Sequence, residues 1–399
     1  MEPLTVIMNN PTQNPTDFDR NANIDVIRGL AVLGILFINI YFFGNAISGY
    51  ASHESNPLHD TLVELFSNFF IEGRFISLFS MLFGVGLAIQ FDRLSAQNKD
   101  AYGLMKSRLK WLVVFGVIHA IFIWSGDVLF TYALSGFVAL CYLKLDHNKL
   151  LKKSLLFIAA PVLLLTLISL LSPEETFIRG SALFKEESLI WFGSYAEQLM
   201  MQLTIFATML FVIPLTLMWL SAGLMLLGIA LYRKGIFEHG FNKSQLIQLA
   251  VATVLLSVLD SLLTLSTDPI LNTLSGAAVI VSAIPMALIY IHVLVKICQN
   301  RSTVLASLQK VGRLSLSLYI LQSTCGVLVF RYFAPTLMNT LDRPGYMLIA
   351  LGFSIFQIIL ASVYLKYFKQ GPLEMLWRKL TKPKATPAKN KGADAVTTD

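Results

Sequence analysis

What most constrains this chain is a succession of long apolar stretches with short polar gaps between them. They run over residues 26–48, 74–91, 109–125, 127–144, 153–172, 203–231, 245–265, 274–296, 313–333 and 345–368. A helix rises 1.5 Å per residue, so about 20 apolar residues cross the ~30 Å hydrocarbon layer of a bilayer. A soluble fold of this length has no use for so many such runs. The sequence is 55% hydrophobic and only 14% charged, outside the range of an ordinary globular chain. No short alternating segments of the kind that build a transmembrane β-barrel occur. The pattern predicts an all-α fold: a polytopic membrane helical bundle of about ten transmembrane helices, with the lipid bilayer as its first partner.

Orientation follows from the basic residues, because positively charged loops stay on the cytoplasmic side. When Lys and Arg are assigned to alternating gaps, all but five of the 31 fall on one side. The exceptions are Arg74, Arg179, Lys185, Arg331 and Arg343. This places both termini in the cytoplasm and makes the whole chain a multi-pass membrane protein. The net charge of +7 is explained by these loops, so no nucleic-acid partner is expected. Cys141, Cys298 and Cys325 lack the spacing of a metal site or a disulfide framework, and no metal is expected.

Three units are read along the chain. Residues 1–23 are a polar, flexible cytoplasmic tail, 24–378 the transmembrane domain, and 379–399 a disordered basic cytoplasmic tail. Two gaps on the outer side, 49–73 and 173–202, mix aromatic and acidic residues as interfacial segments do. The oligomeric state is not legible.

An ionisable group inside a span is costly, so each needs a partner, a cavity or a role. Asp25 and Arg28 share one helical face at the inner end of the first span, either as an interface anchor or as a contact for a cytosolic anion. Asn39 lies in the body of that helix and must pair across helices. Ser80, Gly84 and Ala88 form a small-residue seam in the second span. Glu72 and Arg74 open that span, as a local ion pair or as a site for a carboxylate or phosphate. His119 and Asp127 flank the short turn Trp124-Ser125-Gly126, so the hairpin brings them together on the outer side. A carboxylate beside a buried imidazole fixes its tautomer and raises its basicity, the arrangement that general-base catalysis and proton relays use; a structural histidine would look alike. Asp260 is a secondary candidate, and His292 reads as an interface residue. Arg313, Tyr319 and Gln322 put a polar stripe into the ninth span. Phosphate loops, zinc-protease and serine-hydrolase motifs are absent.

Several blocks resemble a known family. Asp25-x-x-Arg28-Gly29-Leu30, Glu72-Gly73-Arg74-Phe75 and Leu78-Phe79-Ser80-Met81-Leu82-Phe83-Gly84 are similar to the YeiB-like bacterial multi-pass proteins of unknown function (DUF418). So are Arg108-Leu109, His119-Ala120, Gly126-Asp127-Val128-Leu129, Gly312-Arg313 to Gln322-Ser323, and Gly371-Pro372-Leu373-Glu374 with Trp377-Arg378. More distantly, the first helix is similar to membrane acyltransferases of the heparan glucosaminide acetyltransferase type. That resemblance implies an acyl group moved from a cytosolic acyl-CoA to an extracytoplasmic small-molecule, lipid or glycan acceptor. Those enzymes use a histidine shortly after the first span, where His53 and His59 stand here outside a matching motif.

The expected function is therefore acyl transfer. His119 and Asp127 are the catalytic pair, and Arg28, Asn39, Glu72, Arg74, Asp260, Arg313, Tyr319 and Gln322 are substrate contacts. The alternative is a transporter or exporter of a small or amphipathic molecule, in which the same groups form a proton-coupled path.

Overall fold

The computed structural model describes residues 16–45, 48–171, 177–299 and 303–381. Among them there is no strand, only an isolated parallel bridge between Ser52 and Ile178. Seventeen α-helices follow in order. They are α1 (Thr16–Gly44), α2 (Leu58–Phe70), α3 (Arg74–Ala96), α4 (Ala101–Phe122), α5 (Leu129–Tyr142), α6 (His147–Leu171), α7 (Ala182–Trp191), α8 (Tyr195–Leu215) and α9 (Leu217–Arg233). Then come α10 (Ile236–His239), α11 (Lys243–Thr264), α12 (Pro269–Gln299), α13 (Thr303–Arg313), α14 (Ser315–Val327), α15 (Leu337–Thr340), α16 (Arg343–Tyr367) and α17 (Pro372–Leu380). A π-helical stretch, Leu328–Phe333, continues α14.

Eight of these helical stretches are long and apolar enough to cross a membrane, and Leu129–Tyr142 and Leu217–Arg233 are shorter apolar helices. The protein is a polytopic membrane helical bundle. α1 begins at Thr16, so its first turns occupy part of the stretch read as a tail. The remainder of that stretch, and 382–399 of the C-terminal tail, lie outside the described residues.

Local sequence sets the helix starts. Asp100 accepts from the Gly103 amide at 2.9 Å. Ser194 with Glu197 and Asn242 with Gln245 form capping boxes that satisfy the first free amides of α8 and α11. The run 203–231, read as one span, is two helices broken at Thr216 (φ −132°, ψ −80°). Pro214 has no amide hydrogen and cannot continue the ladder. Carbonyls around the break are met: Val212 O accepts from both the Thr216 amide (3.1 Å) and its hydroxyl (2.7 Å), and Pro214 O from Trp219 Nε1 at 2.8 Å.

α1, α3, α9 and α12 supply much of the largest buried cluster, with Ile27, Met81, Leu224 and Ile291 among its members. The small-residue seam of α3 packs on α9. A Cβ at Gly84 would lie 2.2 Å from the Met225 carbonyl, and one at Gly228 2.2 Å from that of Met81. The two expected interfacial segments contain helices: α2 in the first, α7 and the start of α8 in the second.

Candidate functional site

His119, near the end of α4, and Asp127, just before α5, meet as the hairpin spacing predicts. Both side chains are buried, and His119 Nδ1 lies 2.9 Å from Asp127 Oδ1. The approach is off the hydrogen-bond axis: neither His119 nitrogen nor Oδ1 has a hydrogen-bond partner. The contact is thus an electrostatic one at ion-pair distance, with a reserve of bonding capacity on both groups. Asp127 is fixed through its other oxygen, which accepts from the Phe130 amide at 2.7 Å. Gly116 lets α4 come this close, since a Cβ there would sit 2.4 Å from the Phe130 nitrogen. The Tyr319 ring packs 5.3 Å from the imidazole, and its hydroxyl accepts from the Val128 amide at 3.3 Å.

Asp127 lines a cavity of about 460 Å³ whose walls come from α3, α5, α8, α9 and α12, through residues such as Ser77, Thr131, Phe206, Ile213, Leu220 and Ile284. The walls are mostly apolar, and the volume is that of a site for a drug-sized or acyl-bearing molecule.

The remaining predicted residues divide into three groups. At one end of the bundle, Arg28 Nη1 donates to Asp25 Oδ1 at 2.8 Å. Arg313 donates to Lys369 O at 2.9 Å and adds its field at Asp25. Neither arginine lines the cavity. In the interior, Gln322 Nε2 donates to Val32 O (3.1 Å) and Gln357 Oε1 (2.8 Å), joining three helices. Asn39 is buried, and its Nδ2 has no partner.

The third group corrects the expected Glu72–Arg74 pair. Arg74 takes only the backbone carbonyl of Glu72 (2.6 Å), and its charge partner is Asp260, 3.8 Å from Nη2. Ser257 (3.1 Å), Ser282 (2.9 Å) and Phe69 O (3.2 Å) engage the rest of the guanidinium. Ser282 Oγ also donates to Asp260 Oδ2 at 3.3 Å. The carboxylate of Glu72 makes no ion pair with Arg74 and feels Arg343 and Glu64 ahead of the Arg74 charge. Every nitrogen of Arg74 is engaged by protein, which is the pattern of a structural cation. His292 is likewise structural, with Nδ1 accepting from the Phe241 amide at 2.9 Å.

His53 and His59 converge on Asp342, at 2.8 and 3.1 Å, and Arg179 approaches the same carboxylate at 3.6 Å. His53, Asp60 and Asp342 bring ligand atoms within 4.8 Å of one another, the nearest approach to a metal set among the described residues. Asp60 is already bonded by the Tyr50 hydroxyl and by the Arg343 amide (3.0 Å). The cluster reads as an ion-pair network that ties the loop after α1 to the start of α16. One functional feature escaped sequence reasoning: Arg331 is buried inside the bundle, beside Gln198 and Gln202. The signal was present, a lone arginine in an apolar helix, but it reads equally well as the end of a span.

The profile of the family described as "Protein of unknown function (DUF418)" matches residues 231–384. Uncharacterized protein YxaH of Bacillus subtilis (strain 168) is 28% identical over 389 residues, covering 91% of this chain and 94% of that protein. Uncharacterized protein YeiB of Escherichia coli (strain K12) is 27% identical over 396 residues, covering 94% of this chain and 99% of that protein. An uncharacterized 39.9 kDa protein from the amylase 3' region of Bacillus acidopullulyticus is 27% identical over 373 residues, covering 91% and 94%.

Proposed function

We propose that this chain, which matches the DUF418 profile over residues 231–384 and is similar to YeiB along nearly its whole length, is a membrane-embedded acyltransferase of the bacterial inner membrane. In this reading it moves an acyl group from a cytosolic acyl-CoA to an extracytoplasmic small-molecule, lipid or glycan acceptor. The observation that carries the proposal is the buried His119–Asp127 pair, at 2.9 Å, with Asp127 in the wall of an apolar cavity of about 460 Å³.

In this reading the nearby Asp127 charge, at ion-pair distance from Nδ1, favours a proton on that nitrogen and leaves the Nε2 lone pair for an acceptor. Nε2 takes the proton of an acceptor hydroxyl while the hydroxyl oxygen attacks the thioester carbonyl. The C–S bond then breaks, and the thiolate leaves with a proton returned from the imidazolium. Asp127 stabilises the imidazolium in between. The basic residues place the Arg28 end in the cytoplasm, where Arg28 and Arg313 flank Asp25 and offer charge to the phosphates of the donor.

Acetyl-CoA incubated with the purified protein in nanodiscs, together with a hydroxyl acceptor such as diacylglycerol or N-acetylglucosamine, tests the reading. Release of free CoA thiol that falls at least 100-fold in His119→Ala, and substantially in Asp127→Asn, is the expected result. Release equal in wild type and His119→Ala would overturn it. The transport reading is favoured by one observation, the helix broken at Thr216 in the cavity wall, since transporters build midplane sites from discontinuous helices. Proteoliposome flux driven by a pH gradient and lost in Asp127→Asn would support that alternative.

A further inference from the structure

Arg331 is the least compensated charge among the described residues. It is 5% exposed, and no carboxylate approaches it within ion-pair distance. Its guanidinium stacks on Trp191, 3.5 Å from the ring centroid. The hydrogen bond it makes is long, from Nη1 to Gln198 Oε1 at 3.4 Å, and the Tyr332 hydroxyl donates to the same oxygen at 3.0 Å. Gln198 is held by its own amide nitrogen, which donates to Trp191 O and Gly193 O, both at 3.0 Å.

Around Arg331 the polar atoms go unanswered. Its Nε and Nη2, the indole Nε1 of Trp191, and both amide atoms of Gln202 are buried without a hydrogen-bond partner. Gln202 itself is 3% exposed. Four of these five atoms are donors, and the three residues that carry them line one small recess. A buried unpaired cation is costly, and each unmet donor adds to that cost. Donors gathered in one place, with no acid near them among the described residues, form a site suited to an anion.

Two further observations say what kind of anion. Arg331 lies in the π-helical stretch Leu328–Phe333, a local widening of the helix of the type found at functional sites. The recess is not isolated either: Ser125, Trp191 and Ile205 line both it and the large cavity that holds Asp127. The recess has room for about one oxygen-sized group, some 10 Å³. The rest of the ligand must lie in the large cavity, whose wall beyond Ile205 continues through Phe206, Met209 and Ile213, all apolar.

We propose that Arg331, Gln202 and Trp191 form an anion-recognition subsite of this cavity, which takes the carboxylate or phosphate head of an amphiphile whose hydrocarbon part lies along α8. This rests on the reading that the cavity is the substrate site, and it names the substrate class. The guanidinium and the indole N–H grip the head, and Gln202 contributes the third donor. The hydrocarbon chain replaces lipid contact along an apolar wall.

Binding is measured apart from any reaction. Radiolabelled dodecyl phosphate, dodecanoate and dodecanol are titrated into the purified full chain in phosphatidylcholine nanodiscs, with empty nanodiscs subtracted. Saturable one-to-one binding of dodecyl phosphate or dodecanoate, at least tenfold tighter than dodecanol, is expected. That preference should vanish in Arg331→Met and weaken about tenfold or more in Gln202→Leu. Gln202→Leu removes no existing hydrogen bond, so it keeps the test decisive if Arg331→Met does not fold. Preference for one of the two anions fixes the head as phosphate or carboxylate. Equal binding of the alcohol and both anions, or anion binding unchanged in Gln202→Leu, overturns the proposal, as does a recess that holds water only. Selective anion binding without CoA release leaves this subsite standing and removes acyl transfer. CoA release without selective anion binding does the reverse.

Discussion

The buried Arg74–Asp260 pair offers a sharp test of whether an intramembrane charge serves structure or substrate. Both side chains are fully buried, 3.8 Å apart, with Ser282 bonded to each. Removing one partner leaves the other charge stranded, at a cost of about 3 kcal/mol in each of Arg74→Met and Asp260→Leu. The double variant strands no charge but still takes the donors from Phe69 O, Glu72 O and Ser257, so it should cost about 3 kcal/mol instead of the sum of about 6. The coupling is then about 3 kcal/mol, at the upper end of what contacting residues show. Unfolding equilibria of the four proteins, titrated with sodium dodecyl sulfate in mixed micelles, read these differences. Additive single costs, within about 0.5 kcal/mol, would refute the pairing. So would an Arg74→Met protein of unchanged stability, because a guanidinium reserved for substrate leaves the free protein indifferent to its loss.

Glu374 on α17 accepts from the amides of Leu316 (2.8 Å) and Ser317 (3.1 Å) and so caps α14 from a distant part of the chain. Glu374→Ala should cost about 1–2 kcal/mol by the same titration, and Glu374→Gln less, since the amide oxygen can still accept. Equal costs would show that charge, not capping, is what matters there. The Asp342 carboxyl is held below its ordinary value by the His53 hydrogen bond first, with His59 and Arg179 adding to it. A lowered folded-state pKa stabilises above the unfolded value and is lost as pH falls through the folded one. The Tm advantage of wild type over Asp342→Asn should therefore narrow as pH drops below about 4, and an advantage that widened there would contradict the assignment.

How much of this was legible in the sequence depended on how far the physics is local. Apolar runs report burial in lipid residue by residue, so the bundle and most of its helices could be read directly. The His119–Asp127 approach was equally legible, because only six residues, 123–128, join the two helices and the hairpin keeps their facing ends close. Arg74 and Asp260 are far apart in the chain, and nothing in either neighbourhood points to the other; the adjacent Glu72 was the natural but wrong partner. Thr216 was hidden for a different reason. Hydropathy is continuous through residues 203–231, and only the backbone consequence of Pro214 divides them. Arg331 was counted with a loop because a charge at the end of an apolar run looks the same whether it faces water or turns inward.

The cap that α17 places on α14 also dictates an order of assembly. The first turn of α14 emerges during synthesis with its amides unanswered, and the acceptor for Leu316 follows 58 residues later. At the usual pace of translation, about 5–20 residues per second, that helix waits several seconds for its other half. Trp377 of the same late helix donates to Arg108 O at 2.9 Å, so α4, inserted much earlier, waits as well. A chain halted before residue 372 would carry every apolar run into the bilayer and still be unlocked, which makes the last short helix the clasp that ends biogenesis.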